Sequence, residues 1–142
     1  MEFVIHEMIE KDLPKVLDLW HLVNIKLTYS DKREELVRML KHNPGLCLVM
    51  KDTIKNNILG AVLGGFDGRR GWVHHLAVHS SIQGKKYGTI LMDELLRRFK
   101  ERNVVKLKIE ILKSNIGVID FYKKIGWNLR DDLSTMSLSL KE

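Results

Sequence analysis

Cysteine is nearly absent from this sequence, which has 142 residues and contains only Cys47. A single thiol excludes an intrachain disulfide and a metal site built from cysteines, and it is typical of a protein from a reducing compartment. No apolar run approaches the roughly 20 residues of a membrane-spanning helix, and the acidic first residues lack the basic start of a secretion signal. We therefore expect a cytoplasmic protein without a membrane partner.

Linkers, repeats and low-complexity segments are also absent, while hydrophobic residues make up 44% and charged residues 30% of the chain. This composition is typical of a folded globular protein rather than a disordered one. A chain of this length suits one domain with its own core, so we predict a single domain that spans residues 1–142.

The basic residues lack the clustering that is typical of nucleic-acid binding, although the formal net charge is +6. They are spread along the chain, and neither an aromatic-interleaved RNA motif nor a zinc-finger spacing occurs. A nucleic-acid partner is therefore disfavoured. Two interpretations remain, namely an ordinary basic surface and an anionic ligand bound where several cations share one loop.

Hydrophobic periodicity predicts strands and helices in the order β-α-α-β-β-β-α-β-α-β-β. The predicted strands cover residues 3–8, 46–50, 58–66, 72–78, 104–111, 127–129 and 134–140. The predicted helices begin near Asp12, near Ser30 or Asp31, near Ile90, and near Ser114 or Asn115. Three strands joined by turns imply an antiparallel meander, whereas strand 104–111 follows a helix and should pair parallel with strand 72–78. The glycines within strand 58–66 indicate a bulge or a close backbone approach there.

One stretch, residues 72–100, joins a β-prone run to an amphipathic helix through a basic loop that contains Gly84 and Gly88. The first backbone N–H groups of a helix have no partner within the helix, and the helix dipole makes that end partly positive. Lys85 and Lys86 add two cations at the same place. The pattern predicts an anion site, and we interpret it as a cradle for a pyrophosphate group.

Three motifs in this order resemble those of the GNAT acetyltransferase superfamily, over nearly the whole chain. The first comprises residues 76–79 and 83–89 and resembles the acetyl-CoA signature of Gln or Arg, two residues, Gly, one residue, and Gly or Ala. The second comprises residues 110–115. The third, residues 121–127, is similar to Phe-Tyr, three residues, Gly and an aromatic. The hairpin at residues 64–72 resembles that of a small, poorly assigned bacterial and archaeal subgroup.

The resemblance implies an α+β fold, a single three-layer GNAT-like domain whose mixed, mostly antiparallel sheet has about seven strands. Two central parallel strands would splay apart to admit the cofactor, and four helices would flank the sheet. Acetyl-CoA would be the acyl donor, and no metal would take part. The implied cofactor-binding residues are Leu76, Ala77, Val78, Gln83, Gly84, Lys85, Lys86, Tyr87, Gly88, Thr89, Asn115 and Tyr122. Lys86 stands where the signature has its first glycine, which leaves the loop conformation open.

The resemblance also suggests three catalytic residues. Tyr122 would be the general acid that protonates the leaving thiolate, since a phenol with an ordinary pKa of ~10 is protonated at neutral pH. Glu110 or His74 would be the base, directly or through water. Each has a structural alternative: a core aromatic for Tyr122, an exposed carboxylate for Glu110 and a hydrogen-bonded pocket histidine for His74.

Two adjacent histidines occur in strand 72–78. Strand alternation places His74 on the face of Leu76 and Val78, and it places His75 on the opposite face as a structural residue. A metal site is not expected, because neighbouring strand residues diverge and no third ligand is evident.

We therefore expect an acyl-CoA-dependent N-acyltransferase, in the first place an N-acetyltransferase. It would move the acetyl group of acetyl-CoA to a primary amine of a small molecule, or of a protein or peptide N-terminus, by direct attack. The alternative is a catalytically silent, CoA-binding regulatory module. The acceptor amine is not legible in the sequence. A homodimer is left open, because the last strand could pair with a partner.

Overall fold

The computed structural model describes residues 1–141, which belong to two compact units with a boundary between Ile109 and Glu110. The first unit contains β1 (Phe3–Glu7), α1 (Leu13–Leu22), α2 (Arg33–His42), β2 (Leu48–Asp52), β3 (Ile58–Phe66), β4 (Gly71–Val78), α3 (Tyr87–Glu101) and β5 (Leu107–Ile109). The second unit contains α4 (Ile116–Lys124). Short 3-10 turns at Glu10–Asp12, Tyr29–Asp31 and Ser80–Ile82 precede α1, α2 and α3. No helix in this part of the chain is long and apolar enough to cross a lipid bilayer.

The five strands form one mixed sheet in sequence order, from β1 at one edge to β5 at the other. The strands β1 to β4 pair antiparallel with their neighbours, and β4 pairs parallel with β5. The parallel pair is possible because α3 returns the chain along the sheet between the two strands. The predicted mixed, mostly antiparallel sheet with a parallel pair is therefore confirmed, as is the α+β class with four helices.

Helices cover both faces of this sheet, which gives the first unit three layers. On one face, Trp20 of α1 and Leu36 of α2 belong to a buried hydrophobic cluster that includes Leu63 of β3. On the other face, α3 approaches β3 so closely that Leu95 lies beside Gly64. The apolar stripe of α3 consists of Leu91, Met92, Leu95 and Phe99, which follow helical spacing and are all buried.

Two strands differ in extent from their prediction. The strand predicted at residues 46–50 is β2 at Leu48–Asp52, and the strand predicted at residues 104–111 is limited to Leu107–Ile109. Val105 lies in the apolar run before β5, yet it is 87% exposed. An apolar run identifies residues that can form a strand, whereas pairing with a neighbour decides which of them do.

The second unit contains α4, which begins after Asn115 and is followed by Gly126 with φ of +102°. A left-handed glycine commonly follows a helix end. The closing strands predicted at residues 127–129 and 134–140 are wrong, since no residue from 127 to 141 is in a strand and residues 128–141 are exposed. Alternating residues such as Met136 and Leu138 indicate which side chains would share a face. A strand also needs a neighbour for its backbone groups.

Candidate functional site

The edge of β4 that faces β5 is paired along only part of its length. The parallel pairing runs from Gly71 opposite Leu107 to Val73 opposite Ile109, and it ends there. β4 continues to Val78, still paired with β3 on its other side. The last residues of β4 therefore present backbone N–H and C=O groups along this edge, where an extended ligand could bind as an added strand does.

A bulge interrupts β4 where this edge begins. Leu63 lies opposite His74 and Ala61 lies opposite Ala77, so three steps along β4 match two steps along β3. His75 has φ of +54°, in the left-handed region that residues with a side chain rarely adopt. The bulge that the β3 glycines predict is present against β2, where Met50 pairs with Gly60 and Lys51 with Ile58, so that Leu59 is an additional residue in β3. In the bulge described here, by contrast, the additional residue belongs to β4.

The bulge changes which residues of β4 share a face. Residues opposite each other in antiparallel strands point to the same face, so His74 shares its face with Leu63, and Val78 shares the other face with Gly60. The prediction that His74 and Val78 lie on one face is therefore wrong, because alternation fails across an inserted residue. His74 is half-buried and stacks parallel to Trp72, with 6.2 Å between the ring centroids. It belongs to the sheet face that α1 and α2 cover.

The loop after β4 has a defined backbone, although residues 83–86 are exposed. The side-chain amide of Gln83 donates a hydrogen bond to the carbonyl oxygen of Val78 at 2.9 Å, which ties the loop to the end of β4. The Nδ1 atom of His79 accepts the Ser81 N–H at 3.1 Å and so caps the 3-10 turn. Gly84 has φ of +77°, and in residues 1–141 no heavy atom outside residues 83–85 lies within 4 Å of the place that a Cβ would take. The backbone at Gly84 is therefore open to a ligand.

Lys86 is the residue immediately before α3 and has a left-handed conformation, with φ of +69° and ψ of +11°. Glycine adopts this conformation without strain, which accounts for the glycine in the signature that the loop resembles. The loop keeps this conformation with lysine and gains a cation beside the positive end of α3. Lys86 and the exposed Lys85 place two positive charges beside the backbone N–H groups at the start of α3. A phosphate group can accept hydrogen bonds from such N–H groups while the two cations offset its negative charge.

Replacing Lys86 by glycine is expected to stabilise the protein. Glycine removes a strain of about 1–2 kcal/mol, and this gain is partly offset by the greater freedom of glycine in the unfolded chain. The free energy of unfolding should rise by about 0.5–1 kcal/mol. The melting temperature should rise with it, by about 2–4 °C for each kcal/mol. Thermal melting followed by circular dichroism measures the change.

Lys85→Gly is the matched control, because it removes the same charge from a residue whose φ is not positive. It should lower the free energy of unfolding by about 0.5 kcal/mol, since it adds freedom to the unfolded chain and relieves no strain. Equal melting temperatures of the two variants would contradict the strain at Lys86.

The remaining predicted site residues lie in the second unit. Tyr122 is 4% exposed, and its ring contacts Phe121 and Trp127 with centroid distances of 5.2 and 5.3 Å. Burial raises the pKa of the Tyr122 phenol, so the hydroxyl stays protonated at neutral pH and can donate. Burial of Tyr122 agrees with a core aromatic as well as with a general acid, so its catalytic role stays a prediction.

Asn115 and Glu110 are both exposed. Asn115 immediately precedes α4, and its side chain makes no capping hydrogen bond to this helix. The roles of Asn115 in cofactor binding and of Glu110 as a base also stay predictions.

A cluster that no sequence motif indicates holds the β4 bulge. We call it the His75 clamp and define it as Trp20, Asp31 and His75. The His75 ring contacts Trp20 of α1 and Asp31. It thus lies on the same face as His74, and the predicted divergence of the two histidines is wrong. Burial alone would raise the pKa of Asp31, but hydrogen bonds from His75 and from the Thr28 backbone outweigh burial and lower that pKa. The one local signal is the capping spacing from Thr28 to Asp31, which does not reveal the distant partner.

An open groove of about 860 Å³ also lies on the first unit. α1, the β2–β3 turn and the first residues of the loop line it, including His79 and Ser81. Its lining includes none of the three predicted catalytic residues, and it reaches only the residues that precede the predicted anion site. Among residues 1–141, no three His, Cys, Asp or Glu side chains form a group that could hold a metal ion.

The strand edge, the glycine-containing loop and the helix start define the class of this protein, an α+β fold with a cationic loop at a helix start next to a partly unpaired strand edge. The sequence profile of the Acetyltransferase (GNAT) family matches residues 7–127. The chain belongs to this family.

Individual relatives agree with this assignment. An acetyltransferase of Yersinia enterocolitica is 30% identical over 124 residues, which are 87% of this chain and 86% of that protein. The crystal structure of Ard1 from Thermoplasma volcanium has a TM-score of 0.80 at 21% identity. The superposed region covers 92% of this chain and 85% of the Ard1 chain. The PaiA N-acetyltransferase from Thermoplasma acidophilum, solved in complex with coenzyme A, has a TM-score of 0.79 at 16% identity and covers 92% of each chain. At these identities the two solved structures show a shared fold.

Proposed function

We propose that this protein transfers the acetyl group of acetyl-CoA to a primary amine, either of a small molecule or of a protein or peptide N-terminus. One observation carries the proposal: the part of β4 that extends beyond its pairing with β5 leads, through the turn Ser80–Ile82 and the exposed residues 83–86, to the start of α3. Membership of the GNAT family supports an acyltransferase, and the coenzyme A bound to a protein of the same fold supports a CoA thioester as donor.

The donor would use the backbone of β4 and of the loop. The pantetheine arm would form hydrogen bonds with Leu76 and Val78, as an added strand does with a sheet edge. The pyrophosphate oxygens would accept hydrogen bonds from the backbone N–H groups of residues 83–89, and Lys85 and Lys86 would offset part of the negative charge. The open space beside Gly84 fits this proposal, since it lets a phosphate approach the backbone.

The reaction would be a direct attack by the amine. Glu110 or His74, directly or through water, would take a proton from the ammonium group, and the neutral nitrogen would attack the thioester carbonyl. The C–N bond forms, the C–S bond breaks, and Tyr122 would return a proton to the CoA thiolate. A covalent route through Cys47 is disfavoured, because burial of this side chain raises the pKa of its thiol to about 11.

The test is a screen of the purified protein with acetyl-CoA and a broad panel of amines, in which released CoA is measured as free thiol. The panel contains amino acids, amino sugars, polyamines and peptides with free N-termini. Because the chain has a formal charge of +6, acidic and basic peptides of equal length are paired. We expect CoA release with at least one amine above the rate of hydrolysis, and a product heavier by one acetyl group.

The outcomes separate the proposal from its alternative. Binding of CoA by calorimetry without turnover on any amine would favour the silent, CoA-binding regulatory module. If neither CoA binding nor turnover is found, both functions are refuted.

A further inference from the structure

The bulge in β4 has a strained backbone that the surrounding chain must hold in place. His75 has φ of +54°, and its carbonyl oxygen accepts the indole N–H of Trp20 at 3.0 Å. The Trp20 side chain is fully buried, and the two rings meet edge to face with 5.0 Å between their centroids. Both the backbone and the ring of His75 are therefore fixed by α1.

Asp31 fixes the imidazole from a second segment. Its Oδ1 atom lies 2.8 Å from Nε2 of His75, and its Oδ2 atom accepts the backbone N–H of Thr28 at 2.9 Å. The Asp31 side chain is 8% exposed, and that of His75 is 24% exposed. Because the turn Tyr29–Asp31 holds the carboxylate, the imidazole cannot turn away without breaking a largely buried hydrogen bond.

The clamp lies where the pairing of β4 changes. Up to Val73, β4 pairs with both β3 and β5, whereas Ala77 and Val78 pair with β3 and, within residues 1–141, with no other strand. A bulge bends a strand and increases its twist. The conformation of His75 therefore sets the direction of the edge that follows it.

We propose that the His75 clamp is a positioning device for the acyl donor, which holds the bulge so that the backbone of Leu76 and Val78 is presented to CoA. This inference rests on the proposed function, in which CoA binds along this edge. His75 acts through the β4 backbone and is a positioning residue. Without the clamp the bulge samples other conformations, and the apparent affinity for CoA falls with the fraction that keeps the competent one.

The chain offers a matched control in Asp12. Its Oδ2 atom accepts the backbone N–H of Ile9 at 2.9 Å, and its Oδ1 atom lies 3.0 Å from Nζ of Lys51. The Asp12 side chain is 4% exposed. Like Asp31, it accepts a backbone hydrogen bond and contacts one distant side chain, but that side chain, Lys51, belongs to β2 and not to β4. Asp12→Asn and Asp31→Asn remove similar buried interactions from different strands.

The experiment measures the affinity for CoA by calorimetry, and the melting temperature, of the wild type, Asp31→Asn and Asp12→Asn. We expect both variants to melt at lower temperature, but only Asp31→Asn to bind CoA about tenfold more weakly. His75→Asn tolerates the left-handed backbone yet cannot reach Asp31, and it should show the same loss. The double variant Asp31→Asn/His75→Asn should lose no more than either single variant, because both partners contribute to one interaction.

Several results would overturn the positioning role. If the wild type binds CoA and Asp31→Asn binds it equally well, the clamp does not position the donor, and the proposed function is unaffected. Equal losses of affinity in Asp31→Asn and Asp12→Asn would mean general destabilisation, which also refutes the inference. If Asp31→Asn does not fold, His75→Asn takes its place in the comparison. Failure of the wild type to bind CoA would refute the proposed function and, with it, this inference.

Discussion

Replacing Tyr122 by phenylalanine is expected to lower the rate of acetyl transfer by about 100-fold while the affinity for CoA stays unchanged. A positioned general acid typically contributes a factor of about 10²–10⁴. Phenylalanine keeps the ring that contacts Phe121 and Trp127 but has no proton to give to the leaving thiolate. Single-turnover rates on an amine found by the screen, together with calorimetric titration of CoA, measure the two quantities separately.

Tyr29→Phe is the control for this variant. Tyr29 lies outside the proposed site, in the turn before α2. The ammonium nitrogen of Lys32 packs over its ring, 4.1 Å from the ring centroid. Removal of its hydroxyl should leave turnover at the wild-type rate. If Tyr122→Phe also kept the wild-type rate, Tyr122 would be a core aromatic and the thiolate would take its proton from elsewhere.

Replacing Gly64 by alanine is expected to lower the free energy of unfolding by about 3 kcal/mol, at the upper end of the cost of overpacking a core. A Cβ at this position would lie 2.5 Å from the backbone oxygen of Leu46 and 2.9 Å from Cδ1 of Leu95. The side chain of Leu95 can shift, but the Leu46 carbonyl belongs to the chain that enters β2. The melting temperature should fall by about 6–12 °C in thermal unfolding.

Gly117→Ala makes the same chemical change in open space. Gly117 lies in α4, and apart from its chain neighbours and the backbone of its own helix no heavy atom of residues 1–141 is within 4 Å of the place that its Cβ would take. Alanine should raise the free energy of unfolding by about 0.5 kcal/mol, because it is the better helix former. A Gly64→Ala variant as stable as Gly117→Ala would show that β3 and α3 can move apart without cost.

The predicted elements that the structure confirms are those whose signals act over a few residues. The apolar stripe from Leu91 to Phe99 repeats at helical spacing, and α3 contains all of it. Gly84 and Lys86 both have positive φ, which agrees with a glycine-containing signature at the loop. Caps, turns and helical faces depend on neighbours in the sequence, so the pattern of neighbours is sufficient to predict them.

The strand predictions go wrong where a strand has no neighbour to pair with and where a residue is inserted into a strand. The alternation around Met136 and Leu138 predicts a closing strand, but these residues are exposed and unpaired with any strand in residues 1–141. Alternation also places His74 and Val78 on one face, and the inserted residue in β4 separates them. Alternation describes a strand that already has a partner in regular register, and it contains no information about a bulge.

Local sequence patterns predict the apolar stripe of α3, the cationic loop before it and the order of strands and helices from β1 to α4, because each depends on residues close together in the chain. The His75 clamp has no such pattern. Trp20 and Asp31 are 55 and 44 residues from His75, and the three meet only when α1, the turn before α2 and β4 are packed together. The left-handed conformation of His75 is unfavourable in isolation. It is held because a buried indole N–H and a buried carboxylate need hydrogen-bond partners at that place, which is a property of the folded core.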